Sequence, residues 1–426
     1  MKLRNAIPVA GLLLITVAAL FWWLNKSPDS AAAITSRPSA VAEGNKQSNA
    51  LPSTDPVAAF LASHWRDPLL PQGKPPAHFS HGEASLAPES CGQCHQEQFR
   101  DWSQSLHSHT MGAGILWQFQ LMPQEDANKC MKCHAPLAEQ KALVAQSQGW
   151  PNAPTQLPPV YVPPDLGHQG LVCAACHVRN HQRFGPEPRK EIADVLPHDG
   201  FTIAPAFSDG RFCATCHQFP EDGPRTNHKL REDTYAQWQA SSYGQTGQQC
   251  QSCHMPDRKH QWRGIHDQQM VTSALQTKFS RTDNRIEVDI LNIGAGHHFP
   301  TYMVPKVTIE LGYRTAENTF EILATDIIGW NVDISLTQEI FDTRIPSGGK
   351  RSLSALLPPE IKNGTLLEVR LRIAPREHYE RTFQSVLDQR DQLDGKTLSL
   401  LQAAYDEALA TRYQFTLASY QLSPAP

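Results

Sequence analysis

The chain has 426 residues, 19% of them charged, and a formal net charge of −4. That length allows two or three domains, and the charge leaves no basic footprint for nucleic acid, so nucleic acid is excluded as a partner. All ten cysteines fall in pairs that serve another purpose than disulfides, and 33 prolines suit a loop-rich body better than a regular helical bundle.

Lys2 and Arg4 precede an uncharged apolar run from Ile7 to Leu24 that ends in Phe21-Trp22-Trp23-Leu24. The run reaches the lower limit for crossing a bilayer, and tryptophan at its end suits the interface. Residues 1–24 are therefore expected to form a single-pass inner-membrane anchor, with the remainder of the chain in the periplasm. A cleaved signal peptide with Ala31-Ala32-Ala33 as its small-residue site is the alternative, and it implies the same compartment. Residues 25–84 are expected to act as a flexible tether. Ser, Ala, Pro and Asn dominate it up to residue 54, which spans about 30 Å r.m.s., and Asp55 to Arg66 reads as one short helix against the body.

Residues 85–274 carry one pentapeptide five times: Cys91-Gly-Gln-Cys94-His95, Cys130-Met-Lys-Cys133-His134, Cys173-Ala-Ala-Cys176-His177, Cys213-Ala-Thr-Cys216-His217 and Cys250-Gln-Ser-Cys253-His254. C-x-x-C-H is the attachment signature of c-type haem. Two thiols three apart on a helical turn can each add to a porphyrin vinyl group. The histidine behind them then presents a neutral imidazole to the iron as proximal ligand. A zinc knuckle or a thioredoxin-like pair would tolerate a cysteine pair without a following histidine, yet every pair here has one. The reading is five covalently bound c-type haems, stacked so that porphyrin supplies most of the interior. A partial repeat supports the regular spacing: Phe99-Arg-Asp-Trp102-Ser-Gln-Ser105 resembles Tyr235-Ala-Gln-Trp238-Gln-Ala-Ser241.

From about residue 275 the apolar period changes to two. Ile286, Val288 and Ile290 alternate with polar residues, as do Val307, Ile309, Leu311 and Tyr313, and Leu367, Val369, Leu371 and Ile373. Residues 275–383 are expected to form an antiparallel β-sandwich. Residues 384–426 return to helical spacing through Leu398, Leu401, Ala404, Tyr405 and Ala408, and read as a C-terminal helix and tail. The fold class is mixed: a loop- and helix-rich multihaem domain, then the sandwich, then the helix.

Residues Cys91 to His107, with Trp102-x-x-Ser105-x-His107 after a C-x-x-C-H, resemble the opening of the tetrahaem cytochromes that act with hydroxylamine oxidoreductase. They also resemble the wider multihaem family built on that haem arrangement. The stretch from Cys250 through His260-Gln-Trp-Arg-Gly-Ile-His266-Asp267, and Gly296-His297-His298-Phe299-Pro300-Thr301, are similar to further elements of such proteins. The resemblance implies closely packed haems, mostly with two histidine ligands, and distal ligands among His107, His198, His260 and His266. His297 either presents its ring to a haem or hydrogen-bonds a propionate. His109, His181, His228, His298, Met111 and Met255 are reserves, and His181 is too close to His177 to reach round its own haem. A fifth motif and a β-domain depart from the tetrahaem pattern, so the pairing of ligands does not carry over.

Two functions from different classes follow. The first is electron transfer between respiratory partners, a quinol-linked donor or other cytochromes, with no catalytic residue. The second is reduction or oxidation of a small nitrogen or sulfur compound at a five-coordinate haem, with Arg179, Arg183 and Lys190 either steering an anion or forming a solvated surface that pairs with propionates. A third, compatible with either, makes the sandwich a docking module.

Overall fold

The computed structural model describes residues 55–189 and 197–423. The anchor at 1–24, the tether up to residue 54 and Lys190 lie outside the described residues. Among the described residues no helix is long and apolar enough to cross a membrane.

Asp55 caps a helix over Pro56–His64, accepting from the backbone N–H of Val57 at 2.9 Å. Residues 55–84, assigned above to the tether, pack onto the body. His64, Leu69 and Gln72 are buried, and the Gln72 N–H donates to Glu139 at 2.6 Å. The polar composition of this stretch hid three well-spaced anchoring side chains.

The haem-binding region is a succession of short helices joined by proline-rich loops. In four motifs the histidine is the final residue of its helix: Gln124–His134, Cys173–His177, Gly210–His217 and Cys250–His254. In the first motif Cys91 lies in Pro88–Gly92, and His95 caps Gln96–Ser103. Small ribbons separate them: β1 (Val178–Arg179) and β2 (Gln182–Gly185) with β3 (Thr202–Ile203), then β4 (Arg225–Thr226) with β5 (Lys229–Leu230). The sequence repeat has a physical meaning. Trp102 Nε1 donates to Leu171 O and Ser105 Oγ to Trp102 O; likewise Trp238 Nε1 donates to Gln248 O and Ser241 Oγ to Trp238 O. Each Trp ties its helix to a distant loop, and each Ser closes the helix end.

This region also has polypeptide cores of its own, more than the sparse apolar runs suggest. One gathers Leu86, Trp102, Leu137, Tyr161, Val162 and Leu166, drawing two residues from the proline-rich loop. Another gathers Met111, Phe119, Met131 and Val144 around the helix that ends in His134.

The sandwich follows. β6 (Leu275–Thr282), β7 (Arg285–Asn292) and β11 (Lys350–Leu356) form one sheet in the order β11-β7-β6. β8 (Lys306–Arg314), β9 (Phe320–Val332), β10 (Glu339–Asp342), β12 (Leu366–Ala374) and β13 (Tyr413–Gln421) form the other, in the order β10-β9-β8-β12-β13. Every pairing in these two sheets is antiparallel, with Ile309 opposite Leu371 and Phe279 opposite Val288. The alternating residues Ile286, Val288, Ile290, Val307, Ile309 and Leu371 are fully buried between the sheets. Each contributes on the order of 1.5–3 kcal/mol.

The C-terminal segment departs from a single helix and tail. Helices Glu377–Leu387 and Gly395–Ala410 do not lie on the sandwich core. They bury Phe383, Leu387, Leu401, Ala404 and Ala408 against Trp117 on the haem-region helix Ala113–Phe119. The chain then returns as β13, whose pairing with β12 runs from Ile373↔Tyr413 to Leu366↔Gln421. Period-two spacing at Tyr413, Phe415 and Leu417 carries that strand; the stronger helical pattern before it obscured the signal.

Candidate functional site

One continuous cavity of about 2890 Å³ runs through the haem-binding region and under the edge of the sandwich. An ordinary small-molecule pocket reaches about 1,000 Å³ at most, so this one has room for several large groups. All ten cysteines line it, together with His95, His134, His177, His217 and His254. So do His107, His198, His260, His266 and His297. Of the reserves, His109 and Met255 reach the cavity, while Met111 is buried in the core around Phe119. His181 is packed edge-on against Tyr161 with Nε2 at 3.2 Å from Gly73 O, and His228 sits in the β4–β5 turn. His298 lies beside the charges of Arg344 and Asp342.

Three pairs of imidazoles face one another across this space. Ring centroids are 6.3 Å apart for His107 and His217, 6.2 Å for His177 and His260, and 6.2 Å for His254 and His297. Two imidazoles bound to one metal through bonds of about 2 Å would place their ring centres about 6 Å apart. The three separations match that requirement. His198 is near enough to His95 for their charges to interact.

The ring nitrogens are prepared for the same role. Nδ1 of His134, His177 and His254 meets the carbonyl oxygens of Thr110, Phe184 and Arg263, each at 2.8 Å. Nδ1 of His260 and His297 meets the carbonyls of Arg258 and His298 at 2.8 Å, and that of His198 meets Gly200 O at 2.9 Å. A carbonyl only accepts, so Nδ1 carries the proton and the Nε2 lone pair is left for a metal. Burial favours the neutral ring at several of these positions. It pulls His177 and His297 down to about 4 and His107 to about 3, and it lowers His134, His254 and His260.

The thiols of different motifs also adjoin. Cys91 contacts Cys173, Cys133 contacts Cys216, and Cys213 contacts Cys250. These contacts join the first motif to the third, and the second and fifth to the fourth. None of the ten cysteines is in a disulfide. Among the described residues no cluster of three or more His, Cys, Asp or Glu is disposed to hold a bare metal ion.

Arg179 is not an anion guide. Its guanidinium donates to the carbonyls of His64, Ala175 and Val178, closing the end of the Cys173–His177 helix, and burial lowers its pKa to about 10. Arg183 lines the cavity, but it donates to the carbonyls of His181 and Glu83 and stacks over Phe79.

Some residues of the site carry no motif. Trp262 packs its ring edge-to-face against both His107 and His260. Thr110 clamps His134 twice, its carbonyl meeting Nδ1 and its Oγ1 donating to the His134 carbonyl at 2.8 Å. Trp262 lies between His260 and His266 in sequence, and that neighbourhood was its only advance signal.

A family model described as cytochrome c554 and c-prime matches residues 90–152. No curated protein matches the chain. The solved structure of a penta-haem cytochrome c552 from Thermochromatium tepidum resembles it with a TM-score of 0.52 and 18% identity, over 79% of this chain and 98% of that one. The fold is that of a multihaem c-type cytochrome, and its paired thiols and following histidines are built to hold covalently attached haem c.

Proposed function

We propose that the protein carries five haems and transfers electrons through them between respiratory redox partners, held at the periplasmic face of the inner membrane by its N-terminal segment. The observation that carries this reading is the set of three imidazole pairs at 6.2–6.3 Å. Each bound haem would supply a one-electron iron couple. In the His177–His260 and His254–His297 pairs backbone carbonyls orient both rings, which would offer an iron two imidazole nitrogens with little need to move when charge changes. His95 with His198 would make a fourth pair. The adjoining thiols of Cys91 and Cys173, Cys133 and Cys216, and Cys213 and Cys250 support haem edges close enough for electrons to pass.

Purified protein should show five haems per chain by pyridine haemochrome assay, a largely low-spin oxidised spectrum, and reduction by a quinol-linked donor. A haem count below five, or a predominantly high-spin spectrum, would defeat this reading.

One observation favours a second activity beside the first. Among the described residues no histidine ring faces His134, whereas the other four proximal histidines each have a histidine neighbour. Of the other histidines that line the cavity, His266 has Arg376 as its charged neighbour. A haem on Cys130 and Cys133 would then be five-coordinate, the requirement for binding a small ligand at iron. The test is electron paramagnetic resonance of the oxidised protein: one high-spin haem among low-spin ones supports it, and an entirely low-spin signal removes it.

A further inference from the structure

A group of buried polar side chains lies behind the cavity wall and takes no part in holding haem. Glu139, in the first turn of helix Ala138–Gln148, is only 6% exposed, and Tyr161 and His181 are buried with it. The Gln72 N–H donates to Glu139 Oε1 at 2.6 Å, while Oε2 has no hydrogen-bond partner. The Tyr161 phenol neighbours the carboxylate, and its ring meets the His181 ring edge-on at 4.7 Å between centroids. His181 Nε2 lies 3.2 Å from the Gly73 carbonyl, which only accepts, so Nε2 carries the proton. His181 Nδ1 is then a bare acceptor, buried and without a partner.

Hydrogen-bond accounting leaves this cluster one proton short. Glu139 Oε2 and His181 Nδ1 are two buried acceptors, and the Tyr161 O–H is the single side-chain donor that the three groups have left to offer. The Arg179 charge reaches the carboxylate, but its N–H groups are spent on the carbonyls of His64, Ala175 and Val178. Burial raises the Glu139 carboxyl, against the Gln72 N–H, the Arg179 charge and the Tyr161 phenol. Burial, with the charge of Arg183, lowers His181 and keeps its ring neutral. The carboxylate is therefore the group in this cluster ready to take a proton.

Gln72 ties the cluster to the third motif. Its Nε2 donates to Val178 O at 3.5 Å, and its Oε1 accepts from the His181 N–H at 3.3 Å. Val178 directly follows His177 and lines the cavity. On the other side Gly73 is exposed, so the cluster lies one residue from solvent. We propose that Glu139 is a redox-linked proton site, taking one proton from water onto Oε2 when a haem on Cys173 and Cys176 gains one electron. This rests on the five-haem reading above. The electron comes from the quinol-linked donor and turns iron(III) into iron(II), removing one positive charge from beyond Val178. The proton restores the charge balance and converts Oε2 from an acceptor into a donor; no other bond forms or breaks.

The haem-loaded full-length protein is reduced and reoxidised at an electrode across the neutral pH range, and reduced-minus-oxidised infrared spectra are recorded for wild type, Glu139→Gln and Tyr161→Phe. Reduction of wild type should produce a protonated-carboxyl C=O band that shifts in heavy water. Glu139→Gln should lack that band. The reduction equilibrium of one haem should also lose a pH dependence of up to tenfold per pH unit, about 59 mV for one electron. Tyr161→Phe keeps the carboxylate but removes an O–H that steadies its charged form, so proton uptake should move to higher pH. This variant carries the test if Glu139→Gln does not fold. A band that persists in Glu139→Gln belongs to other carboxyls, such as propionates, and overturns the proposal. So does a wild type without the band, or an unmoved uptake in Tyr161→Phe. A haemochrome count below five sinks the underlying haem reading instead.

Discussion

The imidazoles of His254 and His297 lie 6.2 Å apart and within 14° of parallel, one ending the last motif helix and the other in the first long loop of the sandwich. The sandwich therefore completes a site that the haem-binding region begins. The loop is fastened at its root: Asn292 Nδ2 donates to His297 O at 2.8 Å and to Ile345 O at 2.9 Å, joining the end of β7 to the strand-like contact between Phe299 and Ile345. The backbone of the β-domain thus holds His297 opposite His254.

Replacing His297 with Ala should convert one low-spin haem to high-spin and leave the remaining low-spin signals in place. Gly294→Ala tests the same coupling through the backbone, because a Cβ there would come within 2.0 Å of the Ser273 carbonyl and the loop must shift. It should reproduce the spin change and also lower the unfolding midpoint. Gly395→Ala, away from the cavity, where a Cβ meets nothing within 4 Å, is the matched control and should be silent. Optical and resonance spectra that do not change in His297→Ala would remove it as a ligand.

Withholding haem should separate the two halves of the molecule. The sandwich has a core of fully buried aliphatic residues from both sheets, whereas the haem-binding region is built round a cavity of about 2890 Å³. Polypeptide expressed without haem attachment should be cleaved throughout 85–274 by limited proteolysis, by the coupling of folding to cofactor binding. A resistant fragment beginning near Leu275 should survive. Equal resistance of both regions would show that porphyrin is not what fills the interior.

Much of this was legible beforehand, and for a physical reason. Covalent attachment would dictate an invariant local spacing, so the ten cysteines and five following histidines that line the cavity could be picked out from their pentapeptides alone. The sandwich announced itself because Ile286, Val288 and Ile290 must alternate with polar residues when one face is buried. A distal ligand has no such constraint. His107, His260 and His297 reach their partners through tertiary folding, so residue type and a resemblance could nominate them but could not say which haem each serves. His266 was nominated on the same grounds and lies beside Arg376, with no imidazole opposite it. Arg179 illustrates the converse error: a cation near a motif suggested steering, and the fold uses it to cap a helix.

A charged latch joins the β4–β5 hairpin to the outer sheet, and its strength is testable. Lys229 Nζ donates to Glu339 and Asp342, each at 2.7 Å; Arg344 donates twice to Asp342, at 2.7 and 2.9 Å, and stacks on Trp330 at 4.5 Å. Burial would raise the Asp342 carboxyl, but the hydrogen bonds from Arg344 and Lys229 outweigh it and hold the group at about 2. Asp342→Ala leaves the Arg344 side chain, only 5% exposed, without its counter-charge. The expected loss is about 3 kcal/mol, read from denaturant midpoints. A double-mutant cycle with Lys229→Met should give a smaller coupling, because Lys229 is 40% exposed. A loss within about 0.5 kcal/mol for Asp342→Ala, the usual range for surface changes, would show that the latch does not hold the two regions together.

Acid sensitivity should arise in part from His378, which lies outside the proposed ligand set. Its ring is buried, and Arg381 Nη2 approaches Nδ1 at 3.4 Å. Burial chiefly, then the charges of Arg381 and Arg231, lower its pKa to about 4, with Asp333 opposing them. Above pH 6.5 the ring is neutral in both folded and unfolded chains and adds no pH dependence. Between pH 6.5 and about 4 the unfolded chain takes up a proton that the fold refuses, so stability falls as pH falls, by up to about 3 kcal/mol. Below about pH 4 both states are protonated and the contribution levels off. His378→Gln keeps an acceptor for Arg381 but cannot titrate. Its stability difference from wild type should therefore be constant above pH 6.5 and shift in the variant's favour on acidification through that window. Unfolding midpoints that stay parallel for the two proteins from pH 7 to pH 4 would mean that the His378 ring is protonated in the fold, or that the helix bearing it opens before it titrates.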